Sequence, residues 1–483
     1  MAPATAHLDV DYLASAAIHQ ALTLGDSLRE LRAREYATQT PLILLDLLEG
    51  IVDDVRDQLL ELTAGRPLEA ARRMELRGLG QALDQVTELS EYVVRCADAD
   101  VPWGLVYPLE LFCRQLTPES RMIIYPAWRH GYTYGELMGT LYRIMRSVRE
   151  LPEGEFLPGY PRFLAVFSFP PIQGPNILQN AAWGHEIGHH LDTVFNVSAE
   201  VLKAPAFVQR AGGVLTAAQV EAPRAARAPQ GQFDPNYERV SHLTPIVKIL
   251  GGWVAELVAD IFSVHVFGPA SLFAFSEIPS ALAWSEPSWS HPPSWLRIAA
   301  MLDELRYLGY DALLDAAQST GHRAAMCAAV GERLATLAQV AARGAVEPAT
   351  GRFFASITGV FAGARGEMAS HVRGVVRDWA CRAERIAGDV FELVERLDNV
   401  IPPCEVDLPG ELVGRATTLA AIVNAGWFYR IWRSLDRAPR DGTEARELHA
   451  ELARLNELVL KAIELSAAKR QLTEVGGGVD DAL

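Results

Sequence analysis

The chain has 483 residues, 49% of them hydrophobic and 22% charged, which is the profile of a globular protein long enough for two or three domains. Its formal net charge is −16, and no basic run with interleaved aromatics interrupts that excess, so no nucleic-acid partner is expected. Five cysteines, Cys96, Cys113, Cys327, Cys381 and Cys404, form no C-x-x-C pair and read as reduced thiols of a cytoplasmic protein rather than as a disulfide framework.

The opening MAPATAHLDVDYL has no basic segment followed by an apolar one and does not read as a signal peptide. Residues 11–36, 41–63 and 67–97 place Leu, Ile and Val at helical spacing, which predicts a helical N-terminal region over 1–150. Between 100 and 135 the prolines 102, 108, 118 and 126 break the pattern; MIIYP (122–126) reads as a short strand, and a helix is expected from about Tyr134 to Val148. RFLAVFSF (162–169) is apolar and aromatic enough for a strand beside the segment that follows, with an edge to which an extended peptide could add. The longest uncharged run, 163–184, contains Pro170, Pro171 and Pro175, so strand and loop are expected there and no integral membrane segment. Residues 203–236, rich in Ala, Pro, Gly and Gln, read as a mobile surface insertion or lid. The apolar stretch 245–267 reads as a buried helix bent at Gly251-Gly252, and helices are expected over 295–317, 322–343, 367–399, 409–435 and 443–470. The predicted class is mainly α with a small β-sheet (α+β), with a core over 151–320 between helical regions at 1–150 and 321–483.

One pattern carries chemistry. In AAWGHEIGHHLD (181–192), His185 and His189 are four residues apart, so on a helix both imidazoles lie on one face and can hold one zinc ion. Glu186, one position on from the first histidine, has the place of a general base. The competing reading is a polar patch on a helix that binds no metal. A third ligand decides between them: Glu256 and Asp260 are four apart in the otherwise apolar GGWVAELVADIFSV, where carboxylates are costly to bury unless paired or metal-bound. Glu256 can complete the ligand set, and Asp260 can accept the hydrogen bond from a ligand imidazole's other nitrogen. In SHPPSWLRI (290–298), His291 and Arg297 are candidates to stabilise an oxyanion, with Pro292 and Pro293 suited to a first helical turn; the plainer reading makes them a loop residue and a surface charge. His190 points about 100° away around the helix and is set aside as a ligand, as are His242 and His265. Trp284, Trp289 and Trp295 surround His291 and read as packing or as the wall of a pocket.

HEIGH, ELVAD and SHPPSWLRI, in that order, resemble the gluzincin zinc metallopeptidases, most closely the branch of CAAX prenyl endopeptidases and heat-shock membrane proteases. The resemblance covers about residues 160–305. It implies a zincin-like metallopeptidase core with zinc on His185, His189 and Glu256, Glu186 as general base, Asp260 behind the ligands, and His291 and Arg297 as transition-state donors. The membrane spans usual in that branch are not expected here. The resulting expectation is a zinc-dependent endopeptidase acting on a peptide or protein; the alternative is a catalytically weak or inert zinc-binding scaffold or sensor in a larger assembly. Natural substrate and oligomeric state have no signature in the sequence.

Overall fold

A computed structural model describes residues 10–476 apart from 65–69, 98–100, 128–130, 150–158, 222–234, 279–286, 316–320, 347–351, 377–380, 408–413 and 436. It is mostly helical, 77%, with a small sheet, which agrees with the predicted class. The chain forms two compact units, Met1–Gly174 and Pro175–Leu483.

In the first unit, helices α1 (Val10–Arg32), α2 (Thr40–Thr63) and α3 (Ala70–Cys96) pack with α5 (Met138–Val148). Their apolar stripes, Leu44, Leu48, Ile51 and Val55 among them, meet Leu83, Val86 and Val93 of α3 and Leu141 and Ile144 of α5 in one buried core. Two expectations need correction here. Residues 103–116 form a helix, α4, although Pro108 lies inside it; past the first turn this proline removes an intrahelical hydrogen bond, a cost that the buried Leu105, Val106 and Leu109 offset. Thr133–Glu136 is a strand, β2, so the helix expected from Tyr134 begins only at Met138. The strand β3 (Phe163–Phe169) runs parallel to β1 (Ser120–Pro126) on one side and antiparallel to β2 on the other. It is therefore the central strand and offers no free edge to a peptide, and it belongs to the first unit, whereas HEIGH belongs to the second.

The second unit is built around two helices, α6 (Trp183–Phe195) and α9 (Pro235–Phe267). The 33-residue α9 runs unbroken through Gly251-Gly252. Its portion Ile246–Phe267 is long and apolar enough to cross a membrane by length and composition, but 78% of that window is buried inside the protein. The expected insertion at 203–236 is in part regular structure: α7 (Val197–Lys203) leads into α8 (Pro205–Glu221), which buries Phe207, Ala211 and Val214. Phe207 meets Phe361 at 5.8 Å between ring centroids and Arg210 pairs with Glu367 at 3.1 Å, so this helix is packed and not a free lid. The rest of that expectation, with Arg224 and Arg227, lies outside the described residues.

Further along, α10 (Pro269–Glu277) and α11 (Ser294–Tyr307) pack against α9, and Gly309, at φ 88°, separates α11 from the short α12 (Tyr310–Leu313). Then come α13 (Gly321–Val346), α14 (Arg352–Val375) and α15 (Ala383–Asp398). The single helix expected over 367–399 is two helices, because the backbone between them turns to hydrogen-bond elsewhere: Cys381 N donates to His265 O and Ala383 N to Leu308 O. A short pairing of β4 (Glu405–Val406) with β5 (Arg415–Ala416) precedes α16 (Leu419–Trp432) and α17 (Gly442–Gly476), so the expected helix at 409–435 starts ten residues late.

Candidate metal centre

The site begins with two glycines. A Cβ on Gly188 would stand 2.4 Å from the carbonyl oxygen of Ala259, and one on Gly184 would stand 2.9 Å from the Phe267 ring and 3.3 Å from Ser263 Cβ. Small residues four apart on α6 thus face small residues four apart on α9, and the two backbones come into direct contact. The neighbouring position on each helix carries the chemistry: His185 and His189 stand beside Gly184 and Gly188, and Glu256 and Asp260 flank the contact on α9. The i, i+4 spacing read from the sequence becomes a four-residue cluster only because the crossing is so close.

The donor atoms converge. His185 Nε2 and His189 Nε2 are 3.1 Å apart, His185 Nε2 is 3.3 Å from Glu256 Oε2, and His189 Nε2 is 3.4 Å from Glu256 Oε1. A tetrahedral zinc about 2.0–2.1 Å from each ligand requires donor separations of about 3.3–3.4 Å; the observed distances are near that, with Glu256 meeting the two imidazoles through different oxygens, so the three residues could hold a metal ion. Glu256 Oε2 is buried and accepts no hydrogen bond; its nearest charged or polar neighbours are His185 Nε2 at 3.3 Å and Arg297 Nη1 at 3.4 Å. The three side chains retain 18%, 19% and 12% of their exposure, enough to be reached from outside.

Behind the donors, Asp260 Oδ1 lies 2.8 Å from His185 Nδ1. Arg297 Nη2 lies 3.2 Å from the same nitrogen; a proton held on Nδ1 by Asp260 would leave the Nε2 lone pair to a metal. Burial and the Arg297 charge lower the basicity of His185, but Asp260 and Glu256 outweigh them and, without a cation, raise its pKa to about 10. Burial likewise works against the Glu256 carboxylate, while Arg297, His185 and His189 hold its pKa well below the usual range.

Arg297 is not a surface charge. It is 2% exposed, donates from Nε and Nη2 to the two oxygens of Asp260 at 2.7 Å each, and places Nη1 3.4 Å from Glu256 Oε2. Its guanidinium also lies over the Phe275 ring, 4.6 Å from the centroid. The helix that carries it begins at Ser294, so Pro292 and Pro293 precede the first turn and do not occupy it. The loop before that helix is anchored to α9: Trp253 Nε1 donates to Ser288 O, and His291 N donates to Ser288 Oγ. This brings His291 Nε2 to 3.7 Å from Glu256 Oε1, at the edge of the cluster, with its side chain 39% exposed.

Glu186 is 7% exposed, and burial raises its pKa against the opposing pull of His185 and His189. His190 is 1% exposed, and burial lowers it to about 4, which leaves it neutral and outside the donor group. His265 is likewise apart from the donors, paired with Glu304 at 2.8 Å. The side chain of His242 and all of Trp284 lie outside the described residues. Sequence reasoning missed Phe275 and the glycine contact; the small residues inside HEIGH and ELVAD were the available signal for the latter. Compared with known proteins, the chain matches no family model, no curated protein and no solved structure.

Proposed function

We propose that the second unit is a zinc-dependent peptidase with a zincin-like core, as the gluzincin resemblance of its motifs implies. The observation that carries the reading is the convergence of His185, His189 and the Glu256 carboxylate, with the two Nε2 atoms 3.1 Å apart and each 3.3–3.4 Å from one oxygen of Glu256, backed by the Asp260 hydrogen bond to His185. Zinc, when bound there, supplies a Lewis acid. The chain's own residues do the rest. Glu186, its basicity increased by burial, takes a proton from the attacking water as the water oxygen bonds to the carbonyl carbon, and returns it to the nitrogen as the C–N bond breaks. His291, the partly exposed group beside Glu256, donates to the developing oxyanion. Arg297 is committed to Asp260 and Glu256, so in this reading it positions the carboxylates and acts on the oxyanion only through them.

That commitment also supports the second reading, an inert or weak zinc-binding scaffold, since a saturated Arg297 contributes no donor of its own. Hydrolysis of unfolded casein by the purified chain, with and without a chelator and in the Glu186→Gln variant, separates the two. Chelator-sensitive cleavage lost in Glu186→Gln supports the peptidase; zinc binding with no cleavage under any condition supports the scaffold.

A further inference from the structure

The loop ahead of α11 carries a chain of hydrogen bonds to the edge of the candidate metal centre. Trp253 of α9 holds the Ser288 carbonyl, Ser290 O rests against Gly252, 3.6 Å from where a Cβ would stand, and Ser288 N donates to His291 O at 3.0 Å. Ser288-Trp289-Ser290-His291 thus forms a turn fixed to α9, and the following Pro292 disfavours a helical backbone at His291. Within the turn, Ser288 Oγ accepts from the backbone N–H groups of His291 at 2.8 Å and of Ser290 at 3.3 Å. Both lone pairs of that hydroxyl are used, so its proton is left to donate to Ser290 Oγ or to His291 O, each 3.4 Å away.

His291 ends this chain, its two ring nitrogens facing different partners. Nδ1 is 2.8 Å from Ser290 Oγ, and Nε2 is 3.7 Å from Glu256 Oε1. Burial pushes the His291 pKa below its ordinary value, and a neutral imidazole carries a single proton. A carboxylate only accepts, so the nitrogen turned toward Glu256 is the one that carries it, and Nδ1 presents a lone pair. The hydroxyl of Ser290 is the donor that this lone pair meets. A developing oxyanion needs the same Nε2–H; the opposite tautomer would turn a lone pair toward it and repel it.

We propose that Ser290 is a positioning residue: its hydroxyl donates to His291 Nδ1 and keeps the ring proton on Nε2, on the side of the donor group. Its effect on hydrolysis rests on the peptidase reading; the hydrogen bond itself does not. Nitrogen NMR of the full chain with isotope-labelled histidine, at a pH of about 8 where imidazole is neutral, provides the first test, with His291→Gln identifying the signals. His291 should show a protonated Nε2 and an unprotonated Nδ1. In Ser290→Ala the Nδ1 signal should move toward that of a nitrogen bonded only to water, and in Ser290→Thr, which keeps the hydroxyl, it should hold the wild-type position. Casein cleavage provides the second test. Ser290→Ala should lower kcat about 2–10-fold, the worth of one neutral hydrogen bond, with KM, zinc content and unfolding temperature unchanged, and Ser290→Thr should restore it. A proton on Nδ1 in the wild type, His291 signals unmoved in Ser290→Ala, or wild-type kcat in that variant overturns the inference. The expected spectra with no cleavage by the wild type uphold the hydrogen bond and overturn the peptidase reading instead.

Discussion

The helices α9 and α11 hold two buried clusters of the same residue types, and the two are built differently. In the first, backed by Asp260 and Arg297, His185 and His189 bring their Nε2 atoms to 3.1 Å of each other and to 3.3 and 3.4 Å of the two oxygens of Glu256, at a spot that solvent still reaches. In the second, nearer the C-terminal ends of both helices, Glu304 accepts from His265 at 2.8 Å and from Arg373 at 2.9 and 2.7 Å, with His265 1% and Glu304 0% exposed. Both oxygens of Glu304 are satisfied by neighbouring side chains, which ties α9, α11 and α14 together, although His265 Nδ1 is buried with no hydrogen-bond partner among the described residues. The first cluster is left with a buried carboxylate oxygen that accepts no hydrogen bond and with facing imidazole nitrogens. Satisfaction of the carboxylate, rather than composition, distinguishes the two clusters.

Substitutions sharpen that contrast. The largest effect is expected from Glu186→Gln, which removes proton transfer alone: hydrolysis should fall about 10²–10⁴-fold with zinc content and unfolding temperature unchanged, measured by initial rates and elemental analysis side by side. Loss of zinc in that variant would make Glu186 part of the structural framework.

In the second cluster, Glu304→Gln should leave zinc in place but cost about 3–5 kcal/mol of stability, because the Arg373 and His265 partners lose their charge complement; urea unfolding reads this out. The pH dependence has a definite sign. Burial works against the Glu304 carboxylate, yet His265 and Arg373 hold its pKa below the ordinary value, so its contribution is complete above the unfolded carboxylate pKa of about 4.3 and is lost as pH falls through the lower folded value. In Glu304→Gln that part of the acid destabilisation should be missing.

A smaller effect on folding is expected from Gly188→Ala. The added methyl meets the Ala259 backbone at 2.4 Å, and forcing α6 from α9 should cost about 1–3 kcal/mol. Because the same displacement separates His185 and His189 from Glu256, zinc affinity should fall with stability. In Glu304→Gln stability should fall alone. Wild-type zinc affinity in Gly188→Ala would show that the glycine contact does not set the donor spacing.

Much of the centre was legible in the sequence because its residues obey helical spacing: 185 with 189, and 256 with 260. What joins the two pairs, the backbone contact at Gly188 and Ala259, was written only as small residues inside the motifs. Elsewhere composition misled. The Ala-rich and Gly-rich stretch after 203 read as a loop, although alanine is the strongest helix former and Phe207, Ala211 and Val214 already marked one face. The strand at 133–136 has no burial pattern of its own; it forms because β3 needs hydrogen-bond partners on its second side. The break between α14 and α15 answers the groups that receive Cys381 and Ala383, residues distant in sequence and invisible to periodicity.

The central claim is that three donors from two helices hold one zinc ion, and elemental analysis of the purified chain tests it most directly. One zinc per chain is expected in the wild type, with loss of the metal in both His185→Ala and Glu256→Ala while helical content is retained. Full zinc in both variants, or none in the wild type after incubation with zinc and removal of the excess, would contradict it.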